Sequence, residues 1–144
     1  MFKKLLLLKA IPRSTDAGLM ALRLIVALPL FVKHGTEKIL HFQAMAAHFP
    51  NPLHIGPVPS LIFAMISDAI CSLLLIVGLA TRWAALVVFV NIGVAWAFVH
   101  HFAFFGRQGE HGELIVLYLA AAAALFLTGP GKYSIDGLIE KRKP

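Results

Sequence analysis

The chain has 144 residues, 59% hydrophobic and 14% charged, with a net charge of +6 and a mean hydropathy of +0.81. That balance excludes an ordinary soluble domain. Because Lys and Arg gather mostly in the two tails instead of interleaving with aromatics on one face, it also speaks against nucleic acid as a partner.

A bilayer crossing needs roughly 20 apolar residues, so one domain covering residues 1–144 has room for about four helices with short connections. In chain order, Met1 to Ala10 mixes lysines with leucines. Lys9 interrupts the run and no small-residue cleavage site precedes Pro12, so the segment reads as a retained interfacial stretch and not as a signal peptide. The first crossing is expected at 17–40, apolar at its start except for Arg23 and polar from Lys33 onward. His41 to Pro57 is broken by Pro50, Asn51, Pro52 and Gly56 and reads as an irregular loop on the mouth of the bundle. The second crossing, 58–80, is interrupted only by Asp68. The third, 83–105, has no carboxylate, lysine or arginine. The turn between them at Thr81-Arg82 is short enough to make them antiparallel neighbours. After a polar loop from Gly106, the fourth crossing, 113–128, is near the lower length limit for spanning, and Gly129-Pro130-Gly131 ends it. The single cysteine, Cys71, lies in an apolar run, leaving no disulfide framework and no C-x-x-C pair.

The expected fold is therefore all-α, a transmembrane four-helix bundle. Positive charge in both tails (Lys3, Lys4, Lys9 and Arg13; Lys132, Lys141, Arg142 and Lys143) and its absence from the long first loop put both termini in the cytoplasm, with Arg107 as the exception. His34 and His100 each lie seventeen residues past the inner edge of their helices, Ala17 and Trp83. At a rise of about 1.5 Å per residue they share a depth in the outer part of the bilayer. Glu37 and Lys38 fall one turn further out, and Glu113 opens the fourth crossing from the same side.

His34, Glu37, Lys38 and His41 follow the i, i+3, i+4, i+7 spacing, and Arg23 points the same way around the axis. A charge facing lipid at mid-bilayer costs about 2.5 to 3.5 kcal/mol on insertion scales, so this stripe is expected to face the bundle interior. Asp68, at intermediate depth, would pair with Arg23 or His34 or else become neutral. Lys33 and Lys38 read as snorkelling to the outer interface, and Asn91 as interhelical glue. His41, His48, His54 and His111 read as solvated loop residues, and of His100 and His101 at most one points inward. The inward set is thus His34, Glu37, His100 and Glu113 as a polar pocket, with Asp68 and Arg23 as buried charge partners.

With these residues placed, the sequence resembles the DoxX family of small bacterial integral membrane proteins over about Gly18 to Leu138. The resemblance rests on the Arg23 helix leading into His34-Gly35-Thr36-Glu37-Lys38, and on Leu75-Ile76-Val77-Gly78-Leu79-Ala80-Thr81-Arg82. It extends to Ala95 through His100, to Gly112-Glu113, and to the ending Gly129-Pro130-Gly131-Lys132-Tyr133-Ser134-Ile135-Asp136. Asp68 stands where the family usually has Glu, and Cys71-Ser72 where it commonly has Gly-Gly. The resemblance implies a four-helix bundle of the bacterial inner membrane, linked in relatives to quinone-coupled oxidation of thiosulfate or thiols and to oxidative-stress complexes.

Three functions are compatible with these residues. The first is a quinone-interacting subunit, with His34 and His100 as headgroup donors and Glu37 and Glu113 passing protons outward. No flavin, iron-sulfur or thiol motif is visible, so electrons would pass through a partner oxidoreductase. The second is a haem-binding bundle with His34 and His100 as axial ligands. The third is a noncatalytic scaffold, or a carrier of small solutes or protons, in which Arg23, Asp68 and Glu113 form a structural network.

Overall fold

A computed structural model of the chain describes residues 13–103 and 112–141. Met1–Ala10, the loop from Gly106 with Arg107 and His111, and the last basic residues, Arg142 and Lys143, therefore lie outside it. Among the described residues the structure is helical without strands. Helix α1 is Thr15–Leu40, α3 is Pro57–Val77 and α4 is Thr81–Val99, each long and apolar enough to cross a membrane. Helix α5, Gly112–Thr128, is apolar but shorter. Two short helices complete the set, α2 at Phe42–Ala46 and α6 at Ile135–Lys141.

The ends follow from local chemistry. Ser14 caps α1, its hydroxyl accepting from the Ala17 amide. Pro57 and Pro59 open α3, where a missing N–H costs nothing. The expected second crossing runs to residue 80, but α3 stops at Val77 because Gly78 turns left-handed at φ 71° and the Leu79 amide reaches back to Leu74 O. The expected third crossing runs to 105, but α4 ends at Val99, and positive φ at His101 and Phe102 turns the chain away. The first loop holds α2, and the polar tail folds into α6 behind its own cap, Ser134 Oγ accepting from Gly137 N at 3.0 Å.

Helix α1 packs on α3, α3 on α4, α4 on α5, and α5 back on α1, closing a ring. The N-terminus of α1 and the C-terminus of α5 lie at the same end, because Asp16 accepts a hydrogen bond from the Lys132 amide. The core consists of Ala27, Leu30, Cys71, Leu75, Ala84, Ala85, Val88, Ala122 and Leu125. Its alanines let backbones approach closely, the means by which helices associate where no hydrophobic force separates core from lipid. Large apolar side chains point outward instead, with Ile25 71%, Leu117 65% and Leu127 74% exposed, while Arg23, Lys38 and Asp68 are buried. This inversion of the soluble pattern suits a protein solvated by hydrocarbon.

Candidate functional site

Each long helix widens into a π turn, at Leu30–Gly35 in α1, Ile66–Cys71 in α3 and Ala95–Val99 in α4. A π turn inserts a residue, swings the remainder of the helix by about 100° and frees backbone from the regular ladder, which is why such turns collect at functional sites. The turns of α1 and α3 touch: a Cβ built on Gly35 would lie 2.6 Å from the Asp68 carbonyl oxygen. Glycine is what lets the two backbones meet there.

At this contact Lys38 Nζ lies 2.8 Å from Asp68 Oδ2, with side chains 10% and 8% exposed. The other carboxylate oxygen accepts from Asn91 Nδ2 of α4 at 3.1 Å. Lys38 also donates to the His34 carbonyl one turn back, at 3.4 Å. Three helices are thus joined through one carboxylate. Lys38 does not snorkel outward. Helical side chains lean toward the N-terminus, so the long lysine stem reaches back to the depth of Asp68. Asp68 pairs with neither Arg23 nor the His34 ring among the described contacts; its partners are Lys38 and Asn91.

Above this triad is a cavity of about 630 Å³. Its polar lining is Lys33, His34, Lys38, Ser60, Asp68, Asn91, His100 and Tyr118; Phe49, Pro50, Pro52, Leu53 and Ile55 of the first loop line it as well. Asn51 pins that loop, its Oδ1 accepting from Gly56 N at 3.0 Å and Ser60 Oγ at 3.3 Å. The result is a mainly apolar chamber with a charged floor and two imidazoles in its wall, a form that suits an amphipathic guest.

Of the residues expected in the pocket, His34 and His100 line it, and Glu37 and Glu113 do not. Glu37 is exposed: the inward arc of α1 at this height takes His34, Gly35 and Lys38, and Glu37 turns away from it. Glu113 is exposed too; α5 offers the cavity Leu114, Ile115 and Tyr118 instead. His101 is exposed beside inward His100. Sequence reasoning missed Lys38 as a site residue. Its i+4 placement after His34 was the available signal, outweighed by the general tendency of a lysine near a helix end to lie at the interface.

Arg23 belongs to the opposite end. Its Nη1 donates to Leu75 O at 3.1 Å, and Nη2 donates to Tyr133 O. It thereby caps the C-terminus of α3 with a cation and ties it to the tail, an arrangement the helix dipole favours. Asp136 caps the next helix, its carboxylate accepting from Ala80 N at 2.8 Å and Thr81 N at 2.9 Å. Asp136 N donates in turn to Gly78 O. Lys132 forms an ion pair with Asp16 at 3.2 Å, and that hydrogen bond holds its ammonium above the ordinary lysine range. The Gly129-to-Asp136 ending is thus a clasp over the ends of α1, α3 and α4.

No solved structure matches the chain. An uncharacterized protein of Haemophilus influenzae is 32% identical over 135 residues, 91% of this chain and 89% of that protein. A second uncharacterized protein of the same organism is 32% identical over 124 residues, 84% and 90% of the respective lengths. The model of the DoxX family matches residues 18–101, which hold the first three apolar helices and the Lys38–Asp68–Asn91 triad. The clasp at 129–136 falls beyond that match. The chain is a membrane protein of the DoxX family.

Proposed function

We propose that this chain is a multi-pass four-helix bundle of the bacterial inner membrane, with both termini in the cytoplasm, whose outer chamber receives a quinone headgroup. A partner oxidoreductase would exchange the electrons, in sulfur or thiol oxidation or in defence against oxidative stress. The observation that carries this reading is the chamber itself, about 630 Å³, apolar in most of its wall and floored by Lys38, Asp68 and Asn91.

The residues fit such a guest. A quinone presents carbonyl oxygens that need donors, and when bound it supplies two-electron, two-proton redox chemistry. Lys38 has three N–H bonds and spends two of them on Asp68 and His34 O, which leaves the third for a headgroup oxygen. The His34 and His100 rings in the same wall add donors and a means of holding a proton. Asp68 keeps Lys38 in place and balances its charge. Because Glu37 and Glu113 stand outside the wall, proton exit runs from the imidazoles toward the loop above them.

The test is thermal unfolding of the purified protein with and without a short-chain quinone, alongside extraction of bound quinone from the native preparation. The expected result is a higher melting temperature in its presence, lost in His34→Ala and His100→Ala. An unchanged melting temperature together with an empty extract would overturn the reading.

A scaffold or carrier role is favoured by a different observation: both oxygens of the Asp68 carboxylate are partnered, by Lys38 and Asn91, which ties three helices together. On that reading the histidine variants leave redox phenotypes intact, and Asp68→Asn disturbs assembly. A haem between His34 and His100 would show as a Soret band in the visible spectrum of the purified protein.

A further inference from the structure

The geometry points to a second site, at the Arg23 end, for a singly charged phosphate group such as the phosphodiester of an anionic lipid. A cavity of about 540 Å³ opens there around the Gly129-Pro130-Gly131 turn, and Arg82, Lys132 and Lys141 line it. These cations differ in their commitments. Lys132 is neutralised by Asp16. Arg82 and Lys141 have no carboxylate within ion-pair distance among the described residues.

Arg82 is also held in position. Its Nε donates to Phe126 O at 2.9 Å, and its guanidinium carbon lies 5.3 Å from the centre of the Phe126 ring. One edge and one face of the group are thereby occupied, and its two terminal amino groups have no described partner. A guanidinium fixed this way offers the forked donor pair that matches phosphate oxygens, at little entropic expense. Lys141, at the end of α6, adds a second uncommitted point charge to the lining. Glu140 lines the same space. Its carboxylate opposes a heavily charged ligand, which narrows the class to a monoanion over a polyphosphate.

Depth agrees with a lipid source. Arg82 is the second residue of the 19-residue α4, whose length of about 28 Å matches a hydrocarbon core of about 30 Å, so Arg82 stands at headgroup level. The lining of this site shares no residue with the chamber at the other end, and the inference stands apart from the quinone reading.

The experiment is native mass spectrometry of the full chain released from nanodiscs of equal phosphatidylglycerol and phosphatidylcholine, with a parallel arm in phosphatidylcholine alone plus inorganic phosphate. The wild type is expected to retain phosphatidylglycerol preferentially. Arg82→Gln should lower that preference about tenfold, the loss of one charge-assisted contact. Lys141→Gln should lower it less. Arg13→Gln removes the same charge at the same end outside the cavity and should leave it unchanged. A phosphate adduct in the second arm that Arg82→Gln abolishes would support the site with soluble phosphate as its source. No adduct in either arm, or equal losses in Arg82→Gln and Arg13→Gln, would overturn the proposal in favour of diffuse charge.

Discussion

Lys38 and Asp68 face each other at 2.8 Å where the π turns of α1 and α3 meet, and Asn91 holds the remaining carboxylate oxygen. Removing one partner strands a buried charge, which costs about 3 to 5 kcal/mol in comparable pairs. Lys38→Met and Asp68→Leu should each lower the unfolding midpoint sharply. The double variant should be less destabilised than the two single losses summed, because it strands nothing. Unfolding of the four proteins in detergent measures the coupling, and strict additivity would show that the pair is not energetically joined.

The close approach beneath that pair makes a second prediction. A methyl group on Gly35 meets the Asp68 carbonyl at 2.6 Å and Ala69 Cα at 3.0 Å, both backbone atoms that cannot rotate away. Gly35→Ala should therefore destabilise by about 1 to 3 kcal/mol, as overpacking does. Gly93→Ala, whose methyl would find only a leucine carbon at 3.9 Å, should be neutral or slightly stabilising. If Gly35→Ala melts with the wild type, the helices are further apart than described.

Three long apolar segments were legible because hydrocarbon thickness imposes their length, a fourth, shorter one was legible from its composition, and the Pro and Gly clusters mark the breaks between them. The π turns were not. An inserted residue leaves no trace in apolar composition, yet it changes which side chains meet, so a regular count of angle put Arg23, His34 and Glu37 in one inward stripe. The structure keeps Arg23 and His34 inward at different depths and turns only Glu37 out. Arg23 serves the clasp at one end, His34 lines the chamber at the other, and Glu37 is exposed. Depth along the axis was more robust than angle around it, since a rise of about 1.5 Å per residue tolerates one insertion. His34 and His100 accordingly reach the same cavity. Lys38 needed the direction of its stem as well, and Asp136 needed a contact between residues more than fifty positions apart, which no local pattern announces.

The split between wall and surface separates four variants. His34→Ala and His100→Ala should abolish most of a quinone-dependent rise in melting temperature. Glu37→Gln and Glu113→Gln should leave it within error, since neither carboxylate lines the chamber. A loss confined to the two glutamate variants would place the guest on the outer surface.

The ion pair at the other end sets a pH dependence. The Lys132 ammonium is held above the ordinary lysine value of 10.5 by its hydrogen bond to Asp16. A raised folded value means that this group's contribution to stability is fully present below the unfolded value and is lost as pH rises through the folded one. Both groups are solvated, so the effect is small and weakens with salt. Lys132→Met should lower stability slightly at neutral pH, flatten the alkaline limb of the stability profile above about pH 10, and converge with the wild type there.

The clasp gives the last prediction. Arg23 carries the carbonyl ends of α3 and the tail through Leu75 O and Tyr133 O, and Asp136 carries the amide end of α4 through Ala80 N and Thr81 N. Asp136→Ala loses a helix cap, with an expected cost of about 0.5 to 2 kcal/mol. Arg23→Met removes the donor from Tyr133 O and leaves Leu75 O with the Gly78 amide alone, and should cost more than the cap does. The two act on opposite sides of the Gly78–Ala80 turn, so their effects should couple instead of adding. Hydrogen exchange separates the consequences: Asp136→Ala should open the first turn of α4 while the tail stays protected, and Arg23→Met should release the α3 end and residues 133–141 together. Release of the tail alone in both variants would mean that the clasp rests on the chain without holding the helix ends.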